Sequence, residues 1–287
     1  MPAPTCFVAR HATDPGDGTF AERLDTERRH VGNARALLPE RPGNARSLYR
    51  HSLFEAGLLQ LVEPDSPAIV AALRRAGRAV VGCCALVSPG EGAVTLDMEG
   101  EPVTAQRFFT NNLIDVGDFI DGFYAALAAD DDASLDALAQ VDVQALRMQG
   151  VFPEEYQFHW ARALQGFQLG APWTADALVA AMRGSAPERL RHGDGPTAYM
   201  FFKSSLEMGL LNATTMDPGA FNAALLKALE NHRHYFSSVE PNPGEDQSND
   251  PLGFIALGPL AFAASMARRG WPITVASDYL PRSVLAA

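Results

Sequence analysis

Along most of the chain, apolar residues recur at the three- and four-residue spacing of a helix. The clearest run is 111–129. With Leu113 at zero and about 100° per residue, Val116, Ile120, Phe123, Tyr124 and Leu127 fall within an arc of about 100°, wide enough to face a core. Asp115, Asp118 and Asp121 fall on the other side, over about 120° by the same arithmetic, and read as a solvated acidic face. Next comes a segment carrying Leu135 and Leu138, with Ser134 as its predicted N-cap and Asp130, Asp131 and Asp132 favouring its start. Pro153, Glu154 and Glu155 open a helix with Tyr156, Trp160, Leu164 and Phe167 on one face. Thr174 is placed to cap 175–183, with Gly184 as a left-handed exit. Helices over 198–211 and 220–236 follow, the second announced by Asp217 before Pro218. Asp250 and Pro251 repeat that signal before 252–269, which is apolar nearly all round. It is predicted to lie centrally, to kink at Pro259 and to exit through Arg268, Arg269 and Gly270.

Only two places read as extended: 93–98 with 102–105, a small hairpin around Gly100, and 273–275. Polar, proline- and glycine-rich loops are expected at 14–18 and 240–251. The fold predicted is all-α, a single domain of antiparallel helical hairpins with one small β-hairpin, a repeat-like array being one arrangement of them. Residues 1–34 are expected as a partly mobile N-terminal segment and 35–287 as the helical domain.

Composition narrows the function more than the fold. Of 287 residues, 47% are hydrophobic and 20% charged, as in an ordinary globular chain, which excludes a disordered or low-complexity protein. The net charge of −11 repels nucleic acid and anionic lipid but suits a basic protein partner. Cys83 and Cys84 lie in an apolar run and, with Cys6, cannot form an even disulfide framework, so they read as small core residues. No basic region followed by an apolar stretch opens the sequence, so a cytoplasmic protein is expected. The longest apolar stretch, 254–267, contains Gly258 and Pro259 and falls short of the roughly 20 residues of a spanning helix.

Candidate chemistry is sparse. Neither Lys203 nor Lys227 follows a glycine-rich phosphate loop, and there is no Gly-Xaa-Ser-Xaa-Gly elbow for a nucleophilic serine. His232 and His234 point about 200° apart on a helix, which prevents shared metal ligation, while Glu230 and His234 read as a surface pair. Phe108, Phe109, Phe201 and Phe202 read as packing. No catalytic residue, cofactor or metal is therefore expected. The remaining cluster is acidic: Asp115, Asp118, Asp121, Asp130, Asp131 and Asp132, whose spacing lacks the glycine and terminal glutamate of a calcium loop. Read as a functional surface, it is a patch for a basic partner.

One segment is more specific. Gly253-Phe254, the apolar helix to Ala267-Arg268-Arg269-Gly270, and then Ile273 through Ser277-Asp278-Tyr279-Leu280-Pro281 resemble the C-terminal signature of the immunity protein 49 family. Phe123 to Leu127 with Leu135 to Leu138 is similar to its mid-chain helix pair, as are Glu155-Tyr156 leading to Trp160 and the stretch from His232 to Tyr235. The chain departs from the pattern at Asp130-Asp131-Asp132, where a basic residue is expected. The resemblance carries packing motifs, with no catalytic constellation. It implies an immunity protein of a bacterial polymorphic toxin system that binds a cognate toxin domain and occludes its active site. Nuclease toxins with basic clefts and enzymes that consume a nucleotide cofactor both remain open. Two alternatives stand beside it: a helical-repeat adaptor for a peptide or regulatory protein, and an α-helical hydrolase that reverses a toxin's modification. Tyr279 is expected to bury its ring and find a partner for its hydroxyl, plugging the C-terminus into the core.

Overall fold

A computed structural model describes residues 6–286 except 15–18, 89, 91, 99–100, 109–112, 149–152, 192–194 and 239–246. The described residues are 68% helical and form eleven α-helices and two small sheets, so the fold is all-α. A strand, β1 (Cys6–Val8), precedes α1 (Phe20–Leu37), α2 (Asn44–Val62) and α3 (Ala68–Val87). The hairpin β2 (Ala93–Met98) and β3 (Glu101–Gln106) leads to α4 (Val116–Ala128), α5 (Asp132–Ala139), α6 (Glu155–Leu169) and α7 (Thr174–Gly184). Then come α8 (Gly195–Ala213), α9 (Pro218–Ser238), α10 (Leu257–Arg268), β4 (Val275–Ser277) and α11 (Arg282–Leu285). The predicted hairpin is present and antiparallel, with Ala93 opposite Gln106.

Consecutive helices pack together from α1 to α4, and again as α6 with α7 and α8 with α9. Short connections make such neighbours antiparallel. The stacking does not follow chain order throughout, because α10 packs on α4 as well as on α8, α9 and α11. Its residues from Gly258 to Met266 are all buried. The stretch Pro251–Arg268 is long and apolar enough to cross a membrane, but 78% of it is buried inside the fold.

The predicted single kinked helix over 252–269 is instead two pieces. Asp250 caps a 3₁₀ turn, Pro251–Phe254, by accepting from the Leu252 amide at 2.9 Å; Ile255 is extended, and α10 starts afresh at Leu257. The break places Pro259 in the first turn of α10, where its missing N–H leaves no helical bond unmade. The 3₁₀ turn lies against Gly57 of α2, where a Cβ would come within 2.0 Å of the Pro251 carbonyl oxygen. Two predicted helix ends also differ. Asp131, not Ser134, is the N-cap of α5, and Ser134 donates to its Oδ2 at 2.9 Å. Thr174 is the first residue of α7, with its hydroxyl on the Ala171 carbonyl; Gly184 lacks a left-handed conformation and instead gives room to Tyr156. The exit at Gly270 is left-handed as predicted, with φ +82°.

The boundary expected after residue 34 falls within α1, which packs along α2. The start of the chain is fastened to its end. β1 pairs in parallel with β4, Val8 opposite Ser277, and the Arg10 guanidinium donates to the Asp278 carbonyl at 2.8 Å. Tyr279 is fully buried; its hydroxyl accepts from the His11 amide at 2.9 Å and lies 2.7 Å from His11 Nδ1. His232, also buried, packs edge-on against Tyr279 and meets the Gly253 carbonyl through Nε2 at 3.0 Å. Cys83 and Cys84 are buried, and burial drives the Cys84 thiol up to about 12 and Cys83 well above its ordinary value, so both are inert core residues. Phe109 and most of the loops expected at 14–18 and 240–251 lie outside the described residues.

Candidate functional site

The six aspartates do not form one solvated face. Asp115 is the N-cap of α4 and accepts from the Asp118 amide at 2.9 Å, while Asp118 accepts from the Asp115 amide at 3.2 Å, a reciprocal capping box. Arg46 of α2 reaches Asp118 at 3.0 Å and Asp115 at 3.8 Å, tying the start of α4 to α2. Burial, followed by the neighbouring Asp115 charge, raises the Asp118 carboxyl above its ordinary range, and Arg46 works against this. Asp131 is buried, where it accepts from Arg78 Nε at 2.9 Å as well as from Ser134. Asp115, Asp118 and Asp121 are half-buried, while Asp130, which is left-handed and paired with Arg268 at 2.8 Å, and Asp132 in the first turn of α5 are exposed. Helical phase placed Asp115, Asp118 and Asp121 correctly away from the stripe, but the flank of α4 is covered by other helices.

Asp121 points to different chemistry. It lines a cavity of about 310 Å³ between α4, α6, α8, α9 and the segment before α10. Facing it are Lys203 and Glu207 of α8, one helical turn apart, and the wall is formed by Tyr156 and Trp160 of α6, also one turn apart, with Tyr235 and Phe236 of α9. Both carboxylates are held by tyrosines. Tyr49 of α2 donates to Asp121 Oδ2 at 3.2 Å; Tyr124 of α4 donates to Glu207 Oε2 at 3.1 Å and accepts from Trp160 Nε1 at 3.0 Å. Glu207 is only 8% exposed. The Lys203 ammonium lies 5.9 Å and 5.7 Å from the ring centres of Tyr235 and Phe236, within cation–π range.

Electrostatics follow from this geometry. Burial is the largest effect on Asp121 and, with Glu207 and Asp118 nearby, pushes its carboxyl up to about 7 despite Lys203. Burial also raises Glu207, opposed by Lys203 and the Tyr124 hydroxyl. A carboxyl that changes charge near neutrality beside a second acid can bind a cation or exchange protons. Among the described residues, no group of three or more His, Cys, Asp or Glu side chains is arranged to hold a metal ion.

A second cavity, about 470 Å³, is lined by Arg46, Arg50, His51 and Phe54 of α2 with Phe108 and Leu113, and its charge is basic. The first has the richer convergence of groups, from five helices. Sequence reading missed Tyr49, Lys203 and Glu207. A signal existed for two of them: Lys203 and Glu207 are the charged residues at helical spacing in a segment otherwise rich in Phe, Leu and Met.

The family profile described as immunity protein 49 matches residues 63–284. No curated protein and no solved structure matches the chain.

Proposed function

The chain belongs to the immunity protein 49 family, and from that we propose that it protects the cell producing a toxin by binding the cognate toxin domain directly and occluding its active site. The observation that carries this reading is the extent of the match, residues 63–284 of 287. Family membership implies a toxin as partner. The acidic chain favours a toxin with a basic face, a nuclease being one such enzyme, because complementary charge accelerates encounter. Neutralisation takes place in the cytoplasm and requires no turnover by this protein. Asp130 and Asp132, exposed at the joint between α4 and α5, are available to the partner; Asp115, Asp118 and Asp131 contribute by holding the helices that present the surface.

Co-expression with the toxin domain encoded beside the gene, with the dose of this chain titrated, tests the proposal. Protection should saturate near one protein per toxin. A second reading, an enzyme that reverses the toxin's modification, draws on the paired acids of the cavity; it predicts full protection far below equimolar dose, which would overturn occlusion.

A further inference from the structure

We propose that the cavity between Asp121 and Glu207 is the receptor for one guanidinium group, an arginine side chain presented by the toxin. This rests on the immunity reading and names the chemistry of one anchor in that complex. Three carboxylates, those of Asp121, Glu207 and Asp250, line the cavity with a single ammonium, Lys203, so once Asp121 is ionised negative charge is in excess there. Hydrogen bonding points the same way. Asp121 and Glu207 each have one oxygen fixed by a tyrosine hydroxyl, while Asp121 Oδ1 and Glu207 Oε1 have no hydrogen-bond partner among the described residues. Neither oxygen is sealed inside the protein, so both are open to a donor that enters the cavity. The tyrosines and Trp160 keep both groups in place before any partner arrives, which lowers the entropy lost on binding.

A guanidinium suits this setting better than other cations. Its planar fork presents five donors, enough for two acceptors on different helices at once, and its faces stack on aromatic rings such as those of Tyr156 and Phe201. A compact ammonium is more strongly hydrated and lacks the flat faces. At the mouth, Met200 and Leu252 line the cavity while remaining 52% and 39% exposed, an apolar collar for the methylene stem. A buried arginine within an apolar rim is the usual anatomy of a binding hot spot. The net charge of −11 favours approach of the basic partner that would carry it.

Proton linkage supplies an independent signature. The groups around Asp121 are Tyr49 from α2, Asp118 from α4, and Lys203 and Glu207 from α8, and its proton must leave for a cation to bind. With that carboxyl at about 7, affinity should rise about tenfold between pH 6 and pH 8.

The test titrates N-acetyl-arginine methylamide into the full chain and follows the three tryptophan indole N–H signals by NMR, that of Trp160 being assigned by Trp160→Phe. The Trp160 signal should move saturably and more tightly at pH 8. The citrulline analogue, the same shape without charge, should leave it unmoved, and the lysine analogue should bind at least tenfold more weakly. Lys203→Met should tighten the arginine analogue, an effect that a merely structural lysine would not produce. No response in the wild-type chain, or an equal response to citrulline or lysine, overturns the proposal. With the cognate toxin domain, folded Glu207→Gln should bind at least tenfold more weakly; unchanged affinity would overturn the assignment of the arginine to the toxin. Loss of the immunity reading would appear separately, as failure of the wild-type chain to protect in co-expression.

Discussion

Replacing Asp121 by asparagine should stabilise the protein at pH 8 and leave it nearly unchanged at pH 5. In the folded chain this carboxyl is raised from 3.8 to about 7, chiefly by burial. Between about pH 4 and about pH 7 the folded protein therefore keeps a proton that the unfolded chain releases, and stability falls as pH rises through that window. At about 1.4 kcal/mol per unit, a shift of about three units sets an upper limit near 4 kcal/mol at pH 8. Asparagine removes that cost while its side-chain oxygen still accepts from Tyr49, now from a neutral partner and so weaker by roughly 1 kcal/mol. A net gain of about 1–3 kcal/mol at pH 8 remains, which at this chain length moves the melting temperature by roughly 2–4 °C per kcal/mol. Paired thermal and urea unfolding of both proteins at pH 5 and pH 8 measures it. Equal shifts at the two pH values, or a loss concentrated at pH 8, would refute the reasoning. The same variant should lose affinity for the arginine analogue, since a strained acid kept for binding trades stability for function.

Gly57→Ala should cost more than about 2 kcal/mol or prevent folding, because the added carbon meets a backbone carbonyl that cannot move aside without shifting the Pro251–Phe254 turn; soluble yield and urea midpoint report it. Tyr279→Phe should lower stability by about 1–3 kcal/mol, leaving the His11 amide and ring nitrogen without their shared hydroxyl, and should increase hydrogen exchange at Val8 and Val275 as the β1–β4 pairing loosens. His232 is held well below its usual 6.5, largely by burial. Below about pH 6.5 the unfolded chain takes up a proton that the folded chain refuses, so stability falls as pH drops, by up to about 1.4 kcal/mol per unit. His232→Asn should flatten that slope in unfolding curves between pH 6.5 and pH 5, whatever its effect at pH 8.

Most of the helical architecture was legible because amphipathic periodicity is a local property. The stripe of α4, the aromatic face of α6, the Asp217-Pro218 start of α9 and the hairpin over 93–106 all follow from neighbours in sequence. Asp121 shows where that reading stops. It lies about 60° around α4 from Tyr124, at the margin of the stripe, and whether a margin faces water depends on what packs beside it. Here α2 and α8 pack beside it, turning a predicted solvent-facing group into a half-buried acid in a cavity. Likewise, nothing near Cys6 or His11 announces a pairing with residues some 270 positions away.

The sequence by itself determined an all-α chain with an apolar central segment, and the motifs that place it among immunity proteins. Tertiary structure alone decided that segment's break before Pro259, the closure of the chain's two ends and the meeting of Asp121 with Glu207. The reason is physical: helical phase and capping act over a few residues, whereas burial, the Coulomb field and hydrogen-bond satisfaction depend on distances that only the folded chain defines.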